Sequence, residues 1–176
     1  MLNNYNLQNQ QRLVVRPIMQ SDLKPLMATV GRVVGSLYPE GDKKLFDRLE
    51  SACQGLAVSH VVALHGRIPV ALSSETSKGA AGIKLSTFWV DPRFRGLGIG
   101  SRLLDFRISD WIICGKEQSI VTVREERAVE LERLFLPRGF MRIATVNDRY
   151  GDGRNEVVLR WRSQQFMNAY ACHLVA

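Results

Sequence analysis

Short runs in which apolar and polar residues alternate dominate this 176-residue chain, and stretches with a helical period separate them. Residues 12–18 (RLVVRPI) read as a first strand. Ser21-Asp22 then looks like a helix start, with Leu23, Leu26, Met27 and Val30 on one face. Pro25 is expected in that helix's first turn, where a missing amide costs little. A loop through Gly35, Tyr38 and Pro39 follows. Asp42 is then expected to cap a second helix that buries Leu45, Phe46, Leu49 and Cys53 and stops near Gly55.

The middle of the chain is strand-like. Residues 56–64, 69–74 and 83–90 read as strands joined by a His65-Gly66 turn and a Gly/Ala/Lys turn at 77–82, which makes two successive hairpins. Residues 101–115 carry Leu104, Ile108, Trp111 and Ile112 at helical spacing, with Arg102, Asp105 and Ser109 on the opposite face. A β-branched strand at 120–123 precedes a helix at 127–136 that buries Ala128, Leu131, Leu134 and Phe135 and ends at Pro137 and Gly139. Strands at 142–146 and 156–161 close the pattern. Strand, two helices, three strands, helix, strand, helix, two strands is an α+β order. Its mixed, mostly antiparallel sheet has about four helices around it, and the segment from 83 to 123 requires a right-handed parallel crossover. A single domain over residues 12–162 is expected, with a loose Asn/Gln-rich leader at 1–11 and a tail at 163–176. The tail holds Phe166, Met167, Tyr170 and Leu174 at helical spacing, which suits packing on the sheet or on a second copy.

Composition changes this picture little. The chain is 45% hydrophobic and 23% charged, which excludes a disordered or collagen-like class. No apolar run is long enough to span a bilayer and the N-terminus lacks signal-peptide order, so a cytoplasmic protein with no membrane partner is expected. The net charge is +7, and the 24 basic residues are 18 Arg and 6 Lys. An Arg-rich excess suits anionic partners, although from Arg124 to Arg162 acids interleave with the bases. Cys53, Cys114 and Cys172 are odd in number and widely spaced, so neither a disulfide framework nor a metal site is expected. His60 and His65 lie in or after a strand and read as hydrogen-bonded structural histidines rather than catalytic ones, and His173 in the tail has no context.

The chemistry concentrates in Val90-Asp91-Pro92-Arg93-Phe94-Arg95-Gly96-Leu97-Gly98-Ile99-Gly100-Ser101. A strand ends, the chain turns at Pro92, and a glycine-rich loop feeds a helix. Such a loop is an anion cradle: glycine permits close backbone approach, and the first helical amides point outward at the positive end of the dipole. A Walker A loop would need Lys and then Ser or Thr after its last glycine, and Ser101-Arg102 stands there instead. A dinucleotide-binding loop would need its glycines in another register, directly after the strand.

Arg95-Gly96-Leu97-Gly98-Ile99-Gly100, with Val90 and Pro92 before it and Gly139-Phe140 after the last long helix, resembles the Q/R-x-x-G-x-G/A signature of the GCN5-related N-acetyltransferases. The resemblance covers nearly the whole chain. It implies an acyl-CoA donor site, with acetyl-CoA as the default co-substrate and no metal. The backbone of Gly96, Leu97, Gly98, Ile99, Gly100 and Ser101 would hold the pyrophosphate, and Trp89 and Val90 would lie beside the pantetheine arm. In the family this strand and the next splay apart to make a slot for the thioester. Arg93 and Arg95 are candidates for neutralising phosphates. An acceptor amine would attack the thioester directly.

Two features depart from the family pattern. The position of the frequent general-acid Tyr is Phe135, and that of a frequent Asn is Ala128. The strand before the signature holds no carboxylate, which leaves Glu75 as the nearest candidate base. A solvated hairpin residue is the competing reading for Glu75. Ser86, Thr87 and Tyr150 are candidates for relaying a proton through water. In the family the acceptor is met by the first two helices, their loop and the loop between the last strands. Here these are residues 34–43 and 147–155, with Tyr38 and Tyr150 as candidate contacts. Glu40, Asp42, Asp148 and Asp152 suit a cationic acceptor, whereas Arg149 and Arg154 suit nucleic-acid phosphate. The resemblance therefore implies an N-acyltransferase whose acceptor is a small molecule, a protein amine or aminoacyl-tRNA, with homodimerisation plausible. A catalytically silent acyl-CoA-binding regulator is the alternative, and a nucleic-acid-binding module rests on the arginines alone.

Overall fold

The computed structural model describes residues 13–64, 66–149 and 151–163. Seven strands form one mixed sheet in the order β1-β2-β3-β4-β5-β7-β6. The strands are β1 Leu13–Pro17, β2 Ser59–Leu64, β3 Ile68–Ser77, β4 Gly82–Val90, β5 Gln118–Arg124, β6 Phe140–Val146 and β7 Glu156–Arg162. β4 and β5 are parallel from Gly82↔Gln118 to Leu85↔Val121, and the other recorded pairings are antiparallel. The α+β order and the parallel crossover are therefore as the sequence reads. The leader and the tail from residue 164 lie outside the described residues, as do His65, Tyr150, Cys172 and His173.

The chain divides into two compact units. The first runs through Glu75 and takes up Thr87–Leu103; the second comprises Thr76–Ser86 and the chain from Leu104. In the first, α1 (Gln20–Leu26), a π turn (Met27–Gly31) and α2 (Arg32–Leu37) follow one another without a break. Helix therefore continues through Gly35, where a loop was expected. Its start is two residues earlier than Ser21-Asp22 suggests, which puts Pro25 inside the helix rather than in its first turn. The wider π turn follows directly. A Cβ at Gly31 would stand 2.7 Å from the terminal methyl of Met27, a flexible end that can shift.

Helix α3 (Gly41–Cys53) starts from Glu40 in the left-handed region (φ 53°), so Asp42 lies in its first turn and does not cap it. Leu45 and Leu49 are fully buried with Leu26, Val61, Leu72 and Trp89, while Phe46 is left exposed. A second cluster joins Leu13, Val62, Val70 and Ala71 to Ile99 and Leu103, the first turns of α4 (Ile99–Ile113).

In the second unit the core is aromatic. Trp111 lies 5.6 Å from Trp161 and 6.3 Å from Phe140, and Phe135 meets Phe140 edge-on at 4.8 Å between ring centroids. Phe135 closes α5 (Ala128–Phe135), and Gly139 at φ 80° ends the turn that follows. Ile112 is exposed, contrary to the expected stripe, and Arg107 is buried in α4 with Asp110 at 2.9 Å.

Candidate acyl-CoA site

The glycine loop is held at its start by Asp91. The Asp91 amide donates to the Val70 carbonyl (2.9 Å), and its buried carboxylate accepts from the Arg93 amide (3.0 Å), Nε (3.1 Å) and Nη2 (2.7 Å). These bonds from Arg93 hold the Asp91 carboxyl below the usual carboxylate range. Arg93 thus helps to hold the loop, while most of its side chain stays exposed. Pro92 opens the short 3₁₀ turn Pro92–Phe94, and Arg95 Nε donates back to the Val90 carbonyl at 3.2 Å.

Gly96 and Gly98 both take φ 74°, and an added Cβ would meet nothing within 4 Å at either. Glycine is required there by backbone conformation, not by space. Gly100 differs: it lies inside α4 and has no positive φ. The Arg102 amide donates to the Gly98 carbonyl (3.0 Å), so the amides of Ile99, Gly100 and Ser101 precede the first helical bond and have no acceptor one turn back. Ile99 (2% exposed) and Leu103 pin this end of α4 to the sheet while Gly96, Leu97 and Gly98 stay exposed. The result is a fixed set of outward amides at a positive helix end, a geometry that takes a phosphate.

The other candidate residues fall in varied places. Trp89 is 9% exposed and belongs to the core cluster of Leu26 and Leu45. Val90 packs on the cluster of Ile99 and Leu103. Glu75 is a buried strand residue (7% exposed) whose amide donates to the Val58 carbonyl, which overturns the solvated-hairpin reading. The Ser86 hydroxyl is 2.8 Å from Thr76 Oγ1. Tyr38 follows α2 half-buried, with its amide on the Val34 carbonyl and its carbonyl accepting from Gly41. Phe135 is fully buried, and Ala128, at the other end of the same helix, is buried too. Asp148 and Arg149 are used locally: Asp148 Oδ1 accepts from the Gly153 amide at 2.6 Å, and Arg149 Nε stands 3.7 Å from Glu156.

Arg48 was missed. It lies on α3 between Leu45 and Leu49, and its Nη2 donates to Thr87 Oγ1 on β4 at 3.3 Å. Its Nε is shut off from solvent and makes no hydrogen bond. Burial pushes the guanidinium pKa down, with only Asp47 opposing. The signal was present in the spacing: an arginine three residues after one buried leucine and directly before another sits on the flank of the apolar stripe.

No protein-family model and no curated protein matches this chain. Solved structures do. Ard1 from Thermoplasma volcanium superposes with a TM-score of 0.72 at 19% identity, over 86% of this chain and 97% of its own. The yncA protein of Salmonella typhimurium, solved with its cofactor acetyl-CoA, gives 0.70 at 16% identity, over 86% and 94%. A GCN5-related N-acetyltransferase from Kribbella flavida gives 0.67 at 18% identity, over 87% and 99%. With its strand order, parallel crossover and glycine loop in place, the chain has the fold of the GCN5-related N-acetyltransferases.

Proposed function

We propose that the protein is an acyl-CoA-dependent N-acyltransferase that moves an acetyl group from acetyl-CoA to a primary amine. The observation that carries this reading is the loop itself, with Gly96 and Gly98 at φ 74° leading into the buried, fixed start of α4. In this reading the amides from Gly96 to Ser101 bind the CoA pyrophosphate, Arg95 lies beside them, and the backbone at Trp89 and Val90 lines the pantetheine arm. The acceptor nitrogen attacks the thioester carbonyl, the carbon–sulfur bond breaks, and the thiolate of CoA leaves. The new C–N bond leaves the nitrogen with a proton to lose, and Glu75, or Ser86 through water, would take it. Phe135 carries no proton, so the thiolate departs without a tyrosine acid. General-acid help is worth roughly a hundredfold or more, and this is the step at which the enzyme would be slow.

The acceptor would be met by Tyr38 and Tyr150, and it is a small molecule, a protein amine or aminoacyl-tRNA. A cytoplasmic protein, free or as a homodimer, suits all three. The second reading, a silent acyl-CoA-binding regulator, is favoured by the full burial of Phe135 where an acid would stand.

Thermal unfolding with and without acetyl-CoA, followed by release of free thiol across a panel of amines, decides between them. A ligand at about 100 times its dissociation constant adds about 2.7 kcal/mol. Stabilisation with thiol release is the expected result. Stabilisation without release for any amine would establish the regulator, and no stabilisation by any acyl-CoA would overturn both.

A further inference from the structure

The sheet face beneath α3 carries a group of polar atoms that the fold leaves unsatisfied. Arg48 enters it from α3, and its one recorded bond is the 3.3 Å contact with Thr87. The Arg48 Nε is buried without a partner, and so are the hydroxyls of Ser59 and Ser74. Ser59 and Ser74 are direct cross-strand partners of β2 and β3. Two residues further along each strand in the direction of the core stand Val61 and Leu72, both in the cluster with Leu45 and Leu49 of α3, so the two serines share that face. Thr87 shares it too, two residues before Trp89 of the same cluster. All of these residues belong to the first compact unit.

A guanidinium keeps its charge in a protein, and taking it out of water is costly unless an anion compensates it. Here a single hydroxyl is its recorded partner. We infer that Arg48, with Thr87 and the Ser59 and Ser74 hydroxyls, forms a subsite for the carboxylate of the acceptor, so that the acceptor is an amine that also carries a carboxylate. A carboxylate matches the planar fork of Arg48 and accepts from hydroxyls as well, which a cationic polyamine does not. The inference rests on the acyltransferase reading and narrows its substrate class.

The test uses the full chain with CoA present and follows binding by titration calorimetry, so no turnover is required. The probes are pairs of α-amino acids and the amines that lack only the carboxylate. The amino acid is expected to bind about ten- to a hundredfold more tightly, as charge-assisted hydrogen bonds warrant. Arg48→Met is expected to erase that preference while acetyl-CoA still raises the variant's unfolding temperature. The variant itself should be no less stable than the wild type, because it removes a partly buried charge whose Nε has no partner. Should Arg48→Met fail to fold, Thr87→Val must cut the preference several-fold. A preference that survives these changes, or wild-type protein that binds both members of each pair alike, overturns the subsite. Absence of any stabilisation by acetyl-CoA overturns the acyltransferase reading instead. The subsite is then judged by whether amino-acid binding to the free chain depends on Arg48.

Discussion

Arg16 and Asp22 are joined by two hydrogen bonds, Nη1 to Oδ2 at 2.6 Å and Nη2 to Oδ1 at 2.9 Å, across the turn from β1 into α1. The Asp22 side chain is 1% exposed, and its Oδ2 also accepts from the Met19 amide at 2.9 Å. Arg16 in turn donates to the carbonyls of Pro17 and Gly66. One carboxylate thus closes the helix start and fixes β1 against it. Asp22→Ala would leave a mostly buried guanidinium without its anion and an amide without its acceptor. Loss of about 3–5 kcal/mol in chemical denaturation is expected, as for other buried pairs broken on one side. Arg16→Met combined with Asp22→Leu should recover part of that loss. A single-variant loss under about 1 kcal/mol would mean that the pair behaves as a surface contact.

The Asp91–Arg93 contact gives a pH signature. Arg93 lowers the folded-state pKa of Asp91, so the unfolded chain binds a proton more readily than the folded one. The stability this contributes is present above the ordinary carboxylate value of about 3.9 and is lost as pH falls through the lowered value. Arg93→Ala should move the Asp91 titration up toward the ordinary value, read by carboxyl NMR. The stability gap between wild type and variant should close as pH falls below about 4. A gap that persists unchanged into acid would show that the two residues are not coupled.

Gly98 and Gly55 have almost the same backbone angle, φ 74° and 75°, and open space where a Cβ would go. Alanine at either should cost about 1–2 kcal/mol from left-handed strain alone. Only Gly98→Ala should also shrink the rise in unfolding temperature given by acetyl-CoA, because only Gly98 leads into the α4 amides. Equal ligand responses in the two variants would remove the loop from the binding site.

Strand and helix order were legible because local period decides them, and Gly139 and Gly55 stop their helices where the sequence places them. Residues whose fate depends on distant packing were not legible. Glu75 reads as a hairpin acid, yet its strand continues to Ser77 and the residue is buried. Trp89 packs with Leu26 of α1 and Leu45 of α3, a contact that its own strand does not reveal. The loop expected at Gly35 is helix because α2 packs on α3, and Gly41 backs directly onto Val34. Of the candidate site, the turn conformation of the glycine loop could be read from Gly96 and Gly98 alone. Arg48 shows in the spacing of Leu45 and Leu49, but its contact with Thr87, 39 residues away, does not.

Phe135 is where the two readings of the function meet. Its ring is 0% exposed and lies edge-on to Phe140, in a unit whose core also holds Trp111 and Trp161. Phe135→Tyr adds a hydroxyl to a ring that has no exposed surface, and a buried hydroxyl without a partner costs about 1–3 kcal/mol. The variant should therefore unfold earlier than the wild type, and thiol release from acetyl-CoA should not rise, since the new hydroxyl remains in the core. Stopped assays of thiol release and thermal unfolding on the same preparation check both points. An undiminished stability with at least a hundredfold faster release, the scale of general-acid help, would show that the hydroxyl reaches the thioester sulfur. Phe135 would then be a lost acid and not a packing residue, and the fold would need only one substitution to regain it.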